Sequence, residues 1–180
     1  EMMDKPAMYY AFEVLYWCGV RLGEMLALTP EDFDFEKQTL RINKSYQRLN
    51  GKDVVTEPKT PKSIRTIRMN KALADEMQDY IRSFYHIGPR DRIFTMSDSA
   101  LHHQMEQGAK RAGVKKIRIH DLRHSHVSLL INMGFSAVAI ADRVGHESID
   151  ITYRYAHLFP DKQGEMADRL DDEWTGQEGA

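Results

Sequence analysis

Apolar residues at Met8, Phe12, Leu15 and Tyr16 recur at the spacing of a helix that buries one face. Gly19 interrupts this helix, and Arg21 to Leu28 restarts as a shorter one ended by Thr29-Pro30, so Arg21 falls at a helix N-terminus. The period then shortens. Phe33, Phe35, Leu40 and Ile42 read as strand and turn, and Asn50-Gly51 is a strong hairpin signal between basic strands. Val54 to Glu57 and Ile64 to Met69 complete a small antiparallel sheet. Helical spacing returns at Leu73, Met77, Tyr80, Ile81 and Phe84, closed by Gly88-Pro89, and at Ala100 to Ala112, closed by Gly113. Asp121 is predicted to cap a helix carrying Arg123, Val127, Leu130 and Ile131 up to Gly134, and Ser136 caps the next, which runs through Val144. In the tail, Met166, Leu170 and Trp174 form an apolar stripe on an otherwise acidic helix. The predicted class is mixed α+β, mainly α-helical with a small antiparallel β-sheet.

The 180 residues suit one domain with a real core, and the 42% hydrophobic and 29% charged fractions exclude disorder and a coiled coil. No internal repeat or linker marks a second domain. No apolar run is long enough to cross a bilayer, and the acidic start Glu1-Met2-Met3-Asp4 lacks the form of a signal peptide, so a cytoplasmic protein is expected. Cys18, the single cysteine, reads as a small buried hydrophobe.

A net charge of −2 argues against a nucleic-acid partner only until it is mapped along the chain. Residues 41–71 hold nine basic side chains against two acidic ones, and residues 109–124 hold six against one. The acid is concentrated in residues 1–36 and 158–180. One basic face on a neutral body is the footprint of a phosphate-backbone binder.

Two segments carry candidate chemistry. Ile119-His120-Asp121-Leu122-Arg123-His124 sets a histidine and an arginine three residues apart, on one side of a helical turn. Val144-Gly145-His146 is followed by Tyr153 and Tyr155, the latter nine residues after His146. Together they suggest a phosphodiester site with a tyrosine nucleophile. Arginines at 21 and 123 can each fork two hydrogen bonds onto phosphate oxygens, which lysine cannot match. A phenol with a pKa of about 10 needs neighbouring cations and a base to ionise, and His120 with the two arginines are the groups expected to supply them. Tyr153 and Tyr155 would point about 200° apart on a helix, so only one can face the arginines.

With Arg21 in Val20-Arg21-Leu22-Gly23-Glu24, and Lys59 in Pro58-Lys59-Thr60-Pro61-Lys62-Ser63-Ile64-Arg65, the set resembles the catalytic domain of the tyrosine recombinases, the phage-integrase family. Order and spacing agree from about Ala7 to His157. The resemblance implies that fold and a single catalytic domain over residues 1–180, with the family's N-terminal DNA-clamping domain absent. It implies a site-specific recombinase or integrase serving a mobile element. Tyr155, selected by its spacing from His146, would attack DNA to give a 3′-phosphotyrosyl intermediate and a free 5′-hydroxyl, followed by strand exchange and religation. Arg21, Lys59, His120, Arg123, His146 and Tyr155 form the implied catalytic set. Lys59 would protonate the leaving 5′ oxygen, with Lys62 as a competing candidate, and His146 would orient a phosphate oxygen. Lys62 and Arg65 would hold DNA backbone, and Glu24 would be a buried partner that orients a site residue.

Three other readings compete. His120 and His124 have the i, i+4 spacing of zinc ligands, but no glutamate follows His120 and Arg123 would repel a metal, so neither metal nor cofactor is expected. A non-catalytic DNA-binding module would need no tyrosine. A type IB topoisomerase shares the chemistry, yet a histidine at 120 fits integrases better than the lysine expected there. The partners implied are double-stranded DNA and further copies of the chain, a tetramer on DNA and no membrane. The tail from 158 to 180 either docks on its own domain or passes to a neighbouring subunit.

Overall fold

The computed structural model describes residues 7–58, 63–159 and 163–177. Helix α1 (Ala7–Cys18) lays Ala11, Val14, Leu15 and Cys18 into the core, and Gly19 ends it with φ +62°. The short α2 (Leu22–Leu26) follows, with Arg21 as its extended N-cap residue. Phe33–Asp34 (β1), Thr39–Ile42 (β2) and Arg65–Arg68 (β5) form an antiparallel sheet in the order β1-β2-β5. Leu40 and Ile67 face each other across β2 and β5 and are both buried, so this sheet presents one face to the core.

Ser45–Leu49 (β3) and Lys52–Thr56 (β4) pair as a separate two-stranded ribbon, so the single predicted sheet is in fact two. The ribbon turns at Asn50 and Gly51, whose φ values of 49° and 78° both lie in the left-handed region that a tight two-residue hairpin requires. Most of its residues are exposed, and it joins the larger core through Tyr46 of β3.

Helix α3 (Lys71–Arg82) starts where the Asn70 side chain accepts the Leu73 amide at 2.8 Å. Ser97 does the same for α4 (Asp98–Ala112), through the Ala100 amide at 3.2 Å. Helix α5 (Ile119–Asn132) begins two residues before Asp121, so the expected N-cap lies in its first turn instead. Its carboxylate reaches back to accept the Arg118 amide at 2.8 Å, satisfying an N-terminal donor from the third helical position. Ser136 caps α6 (Ala137–Val144) as the sequence predicts, and α7 (Ile149–Tyr153) and α8 (Gln163–Gln177) complete the chain. The mainly helical α+β class is therefore borne out.

The larger core gathers α1 to α3, the three-stranded sheet, Ile93, Phe94 and Leu101. A smaller one joins α5 to α6 through Val127, Ile131, Ile140 and Val144, with Tyr155, Leu158 and Phe159 packed against it. The candidate site residues lie where these two bodies meet. No helix among the described residues is long and apolar enough to cross a membrane.

Candidate active site

Two arginines from opposite ends of the sequence are locked into one site by backbone carbonyls. Arg123 is 4% exposed and its Nη1 donates to the Gly19 carbonyl at 2.6 Å. Arg21 donates through Nη2 to the Gly145 carbonyl at 3.1 Å. Gly19 lies so close to α5 that a Cβ there would stand 2.4 Å from the His126 ring, and its φ is positive. Only glycine lets α1 end against α5 and turn its carbonyl toward Arg123.

Glu24 is the buried counter-charge shared by Arg21 and Arg65. It accepts from the Arg21 amide at 2.8 Å and Arg21 Nη1 at 2.9 Å, and from Arg65 Nη2 at 2.9 Å and Nη1 at 3.1 Å. Burial pushes its carboxyl up, but the hydrogen bonds and charge of Arg65 overcome this, and the net displacement is downward. Glu24 is thus an anion that orients Arg21, as the sequence implied.

Arg65 departs from expectation. Its side chain is 6% exposed, and Nε donates to the Arg143 carbonyl at 3.0 Å while the two terminal nitrogens clasp Glu24. Donors committed inside the protein are not offered to DNA, so Arg65 fits a structural clamp and not the backbone contact expected of it. Lys59 and Lys62 lie outside the described residues.

A cavity of about 430 Å³ is lined by His120, Arg123, His124, His146, Arg154 and Tyr155, among others. Arg123 Nη2 is buried with no hydrogen-bond partner. Burial, followed by the charge of Arg21, disfavours its cationic form, so the guanidinium stands ready for an anion. Burial and then the charge of His124 lower His120. His146 follows Gly145 at the end of α6, and its Nδ1 is 2.8 Å from the Thr152 hydroxyl, itself fully buried. Burial and then Arg123 drive its pKa down to about 4, so the ring is neutral at physiological pH.

Helix α7 stops at Tyr153, and a 3₁₀ turn over Ala156–Leu158 follows, so Tyr155 sits between the two elements. The break separates the tyrosines. Tyr155 enters the cavity with the histidines and Arg123, whereas Tyr153 is 53% exposed and lines another groove, with Phe135 and Phe159. Burial raises the Tyr155 phenol, and Arg123 opposes that rise. Its hydroxyl contacts Nδ1 of His124. The His124 ring meets that of His120 edge-on, with centroids 4.8 Å apart.

Arg21, His120, Arg123, His146 and Tyr155 are therefore gathered around one seam. Sequence reasoning missed His124 as a neighbour of the tyrosine and Thr152 as the holder of His146. The signal for His124 was present, since it follows Arg123 one turn after His120, but it pointed to metal spacing. Among the described residues no three His, Cys, Asp or Glu side chains are grouped closely enough to hold a metal.

The model of the phage integrase family matches residues 2–162. The ICEBs1 integrase of Bacillus subtilis (strain 168) is 38% identical over 175 residues, covering 89% of this chain and 48% of the relative. The chain thus spans about half the length of the curated relatives it matches. The Tn1549 transposon integrase, solved in complex with a circular intermediate DNA, superposes with a TM-score of 0.75 at 21% identity, over 92% of this chain and 58% of that one. The catalytic domain of bacteriophage HP1 integrase gives 0.63 at 21% identity, over 93% and 84% of the two chains. A family match over most of the sequence, the shared fold and the gathered arginines, histidines and tyrosine agree: the chain belongs to the phage integrase family of tyrosine recombinases.

Proposed function

We propose that this chain cleaves and rejoins double-stranded DNA at specific sites, with Tyr155 as nucleophile. The observation that carries this reading is the buried, unpartnered Nη2 of Arg123, a residue that lines the cavity Tyr155 enters. Leaving a buried cationic donor unsatisfied costs about 1–3 kcal/mol, and a phosphate oxygen placed there removes that cost. Arg21 supplies a second guanidinium, so two non-bridging oxygens are held and the charge that develops on them is stabilised.

Tyr155 attacks phosphorus to form a 3′-phosphotyrosyl bond, and the 5′ oxygen leaves with a proton from Lys59. His146, neutral and fixed by Thr152, orients a phosphate oxygen. Lys62 holds DNA backbone beside Lys59. The 5′-hydroxyl of a second strand then reverses the chemistry and completes recombination. Energy is conserved in the covalent link, and the arginines fill the charge-stabilising role that a metal takes in other phosphoryl transfers.

Residues 1–180 act as the catalytic domain, and its place of work is the cytoplasm, where a mobile element meets the chromosome. Tetramers assembled on DNA are the working form. Exposure of Met166, Leu170 and Trp174 along α8, at 53%, 69% and 73%, supports transfer of this helix to a neighbouring copy, since an apolar stripe gains by being covered.

A library of nicked duplexes with randomised sequence around the nick tests the chemistry, because the nick lets the 5′ fragment diffuse away and traps the adduct. Tyr155→Phe should lose the covalent complex and keep DNA binding, and Tyr153→Phe should keep both. An adduct that survives in Tyr155→Phe and vanishes in Tyr153→Phe would overturn the assignment.

A further inference from the structure

Burial raises the Tyr155 phenol, so its attack on phosphorus needs a group that removes the proton as the oxygen–phosphorus bond forms. The arginines cannot serve. Arg123 and Arg154, which share the cavity, are donors only. His146 is held through Nδ1 by Thr152 and makes no hydrogen bond to the Tyr155 hydroxyl, and the Ser128 hydroxyl is committed to the His124 carbonyl at 3.0 Å. The His120 ring is turned onto the ring of His124, at 87° to its plane. His124 alone among the described residues is hydrogen-bonded to the phenolic oxygen.

We infer that His124 is the catalytic base that takes the phenolic proton of Tyr155, through Nδ1. The inference rests on the proposed nucleophile and deepens it. The phenol carries one hydrogen, and with Nδ1 unprotonated that hydrogen points at the ring nitrogen, which fixes both the tautomer and the direction of transfer. His124 is well fixed for this task. It lies on α5 directly after Arg123, so the helix that presents the phosphate-binding arginine also sets the base. The edge-on contact with His120 holds the ring plane, and Ser128 ties the turn below.

The step balances as follows. The Tyr155 O–H bond breaks and its proton passes to His124 Nδ1, the phenolic oxygen bonds to phosphorus, and the P–O5′ bond breaks with protonation of the 5′ oxygen by Lys59. In rejoining, the attacking 5′-hydroxyl gives its proton to Lys59, the P–O bond to Tyr155 breaks, and His124 returns its proton to the departing phenolate. The imidazolium formed in between faces His120, Asp121 and Arg123 on its own helix, His146 at the end of α6, and Arg154, Tyr155 and His157 beyond α7. Of these, the Asp121 carboxylate is linked electrostatically to His124.

Single-turnover cleavage of a nicked substrate tests this. His124→Ala and His124→Gln should slow adduct formation by about 10²–10⁴-fold, with DNA affinity unchanged. Replacing Tyr155 with 3,5-difluorotyrosine, a more acidic phenol that ionises without help, should restore most of the rate lost in His124→Ala and change the parent little. Circular dichroism melts confirm that each variant is folded, and His124→Gln serves if the alanine variant is not. Cleavage by either folded variant at the parent rate, or failure of difluorotyrosine to rescue it, would refute the inference, since a purely structural histidine gives no rescue. Absence of any adduct from the parent would instead sink the proposed nucleophile.

Discussion

Replacing Glu24 with glutamine should cost the domain more than any other single-atom change at the site. The carboxylate is 5% exposed and accepts four hydrogen bonds, three of them from guanidinium nitrogens. Each carboxylate oxygen accepts one bond from Arg21 and one from Arg65, so an amide with a single oxygen keeps one bond to each arginine and loses the other two. Its NH₂ then confronts a cation. Removing one partner of a buried ion pair costs about 3–5 kcal/mol, and the lower end applies because one oxygen remains. A loss of about 3 kcal/mol in a chain of this size lowers the melting temperature by roughly 6–12 °C. Thermal melts of parent and Glu24→Gln, followed by circular dichroism at one pH and salt, measure this. Cleavage should fall as well, because Arg21 is no longer aimed, whereas weak salt-dependent DNA binding should strengthen with the lost negative charge. A variant that melts with the parent and forms adduct at the parent rate would refute the clamp reasoning.

Thr152→Val removes the hydroxyl beside His146 Nδ1 without changing shape, and should lower the cleavage rate about tenfold while leaving DNA affinity intact. An unchanged single-turnover rate would show that His146 needs no such hold. Burial holds His126 and His146 down to about 4 in the folded chain, against ordinary values near 6.5. The unfolded chain therefore binds protons that the folded one does not, so their stability contribution is full above pH 6.5 and is lost as pH falls toward 4. Urea titrations should give a steeper slope of stability against pH for the parent than for His126→Gln in that window, and equal slopes would contradict it. Truncation after Phe159 should impair multi-subunit recombination much more than binding to a single site, measured by joined-product yield and gel shift. Equal recombination by the truncated and intact chains would rule out exchange of α8.

Local periodicity carried the helices, the hairpin turn and the class of the fold, because each depends on residues a few positions apart. Arg21, Arg123 and Tyr155, which the structure gathers near one seam, were also legible, as motif residues at fixed spacing. What stayed hidden is what links them. The Gly19 carbonyl that holds Arg123 is 104 residues away in sequence, and the Gly145 carbonyl that holds Arg21 is 124 away. No local pattern reports which carbonyl turns toward which guanidinium. Arg65 shows the same limit from the other side. In a basic segment a free cation is the reasonable expectation, and only packing against Glu24 and the end of α6 reveals a buried clamp.

These long-range holds divide the site in a way that bears on catalysis. Arg21, Arg123 and Glu24 are fixed by buried and partly buried charge-assisted bonds that tie α2 to β5 and to the end of α6, and α5 to the end of α1, so the face proposed to bind phosphate is formed without a ligand. Arg143 extends this frame: it donates to the Trp17 and Arg68 carbonyls and, through Nε, to His126, the ring that packs on Gly19. Tyr155 hangs differently. It follows a five-residue helix and precedes a 3₁₀ turn, and its packing is on the smaller of the two cores. A nucleophile on such a short connection can be drawn in or withdrawn without disturbing the arginine frame. The exposed stripe of α8 begins eleven residues after Tyr155, so in the proposed exchange of this helix, covering the stripe would act on the segment of the nucleophile and not on the arginine frame.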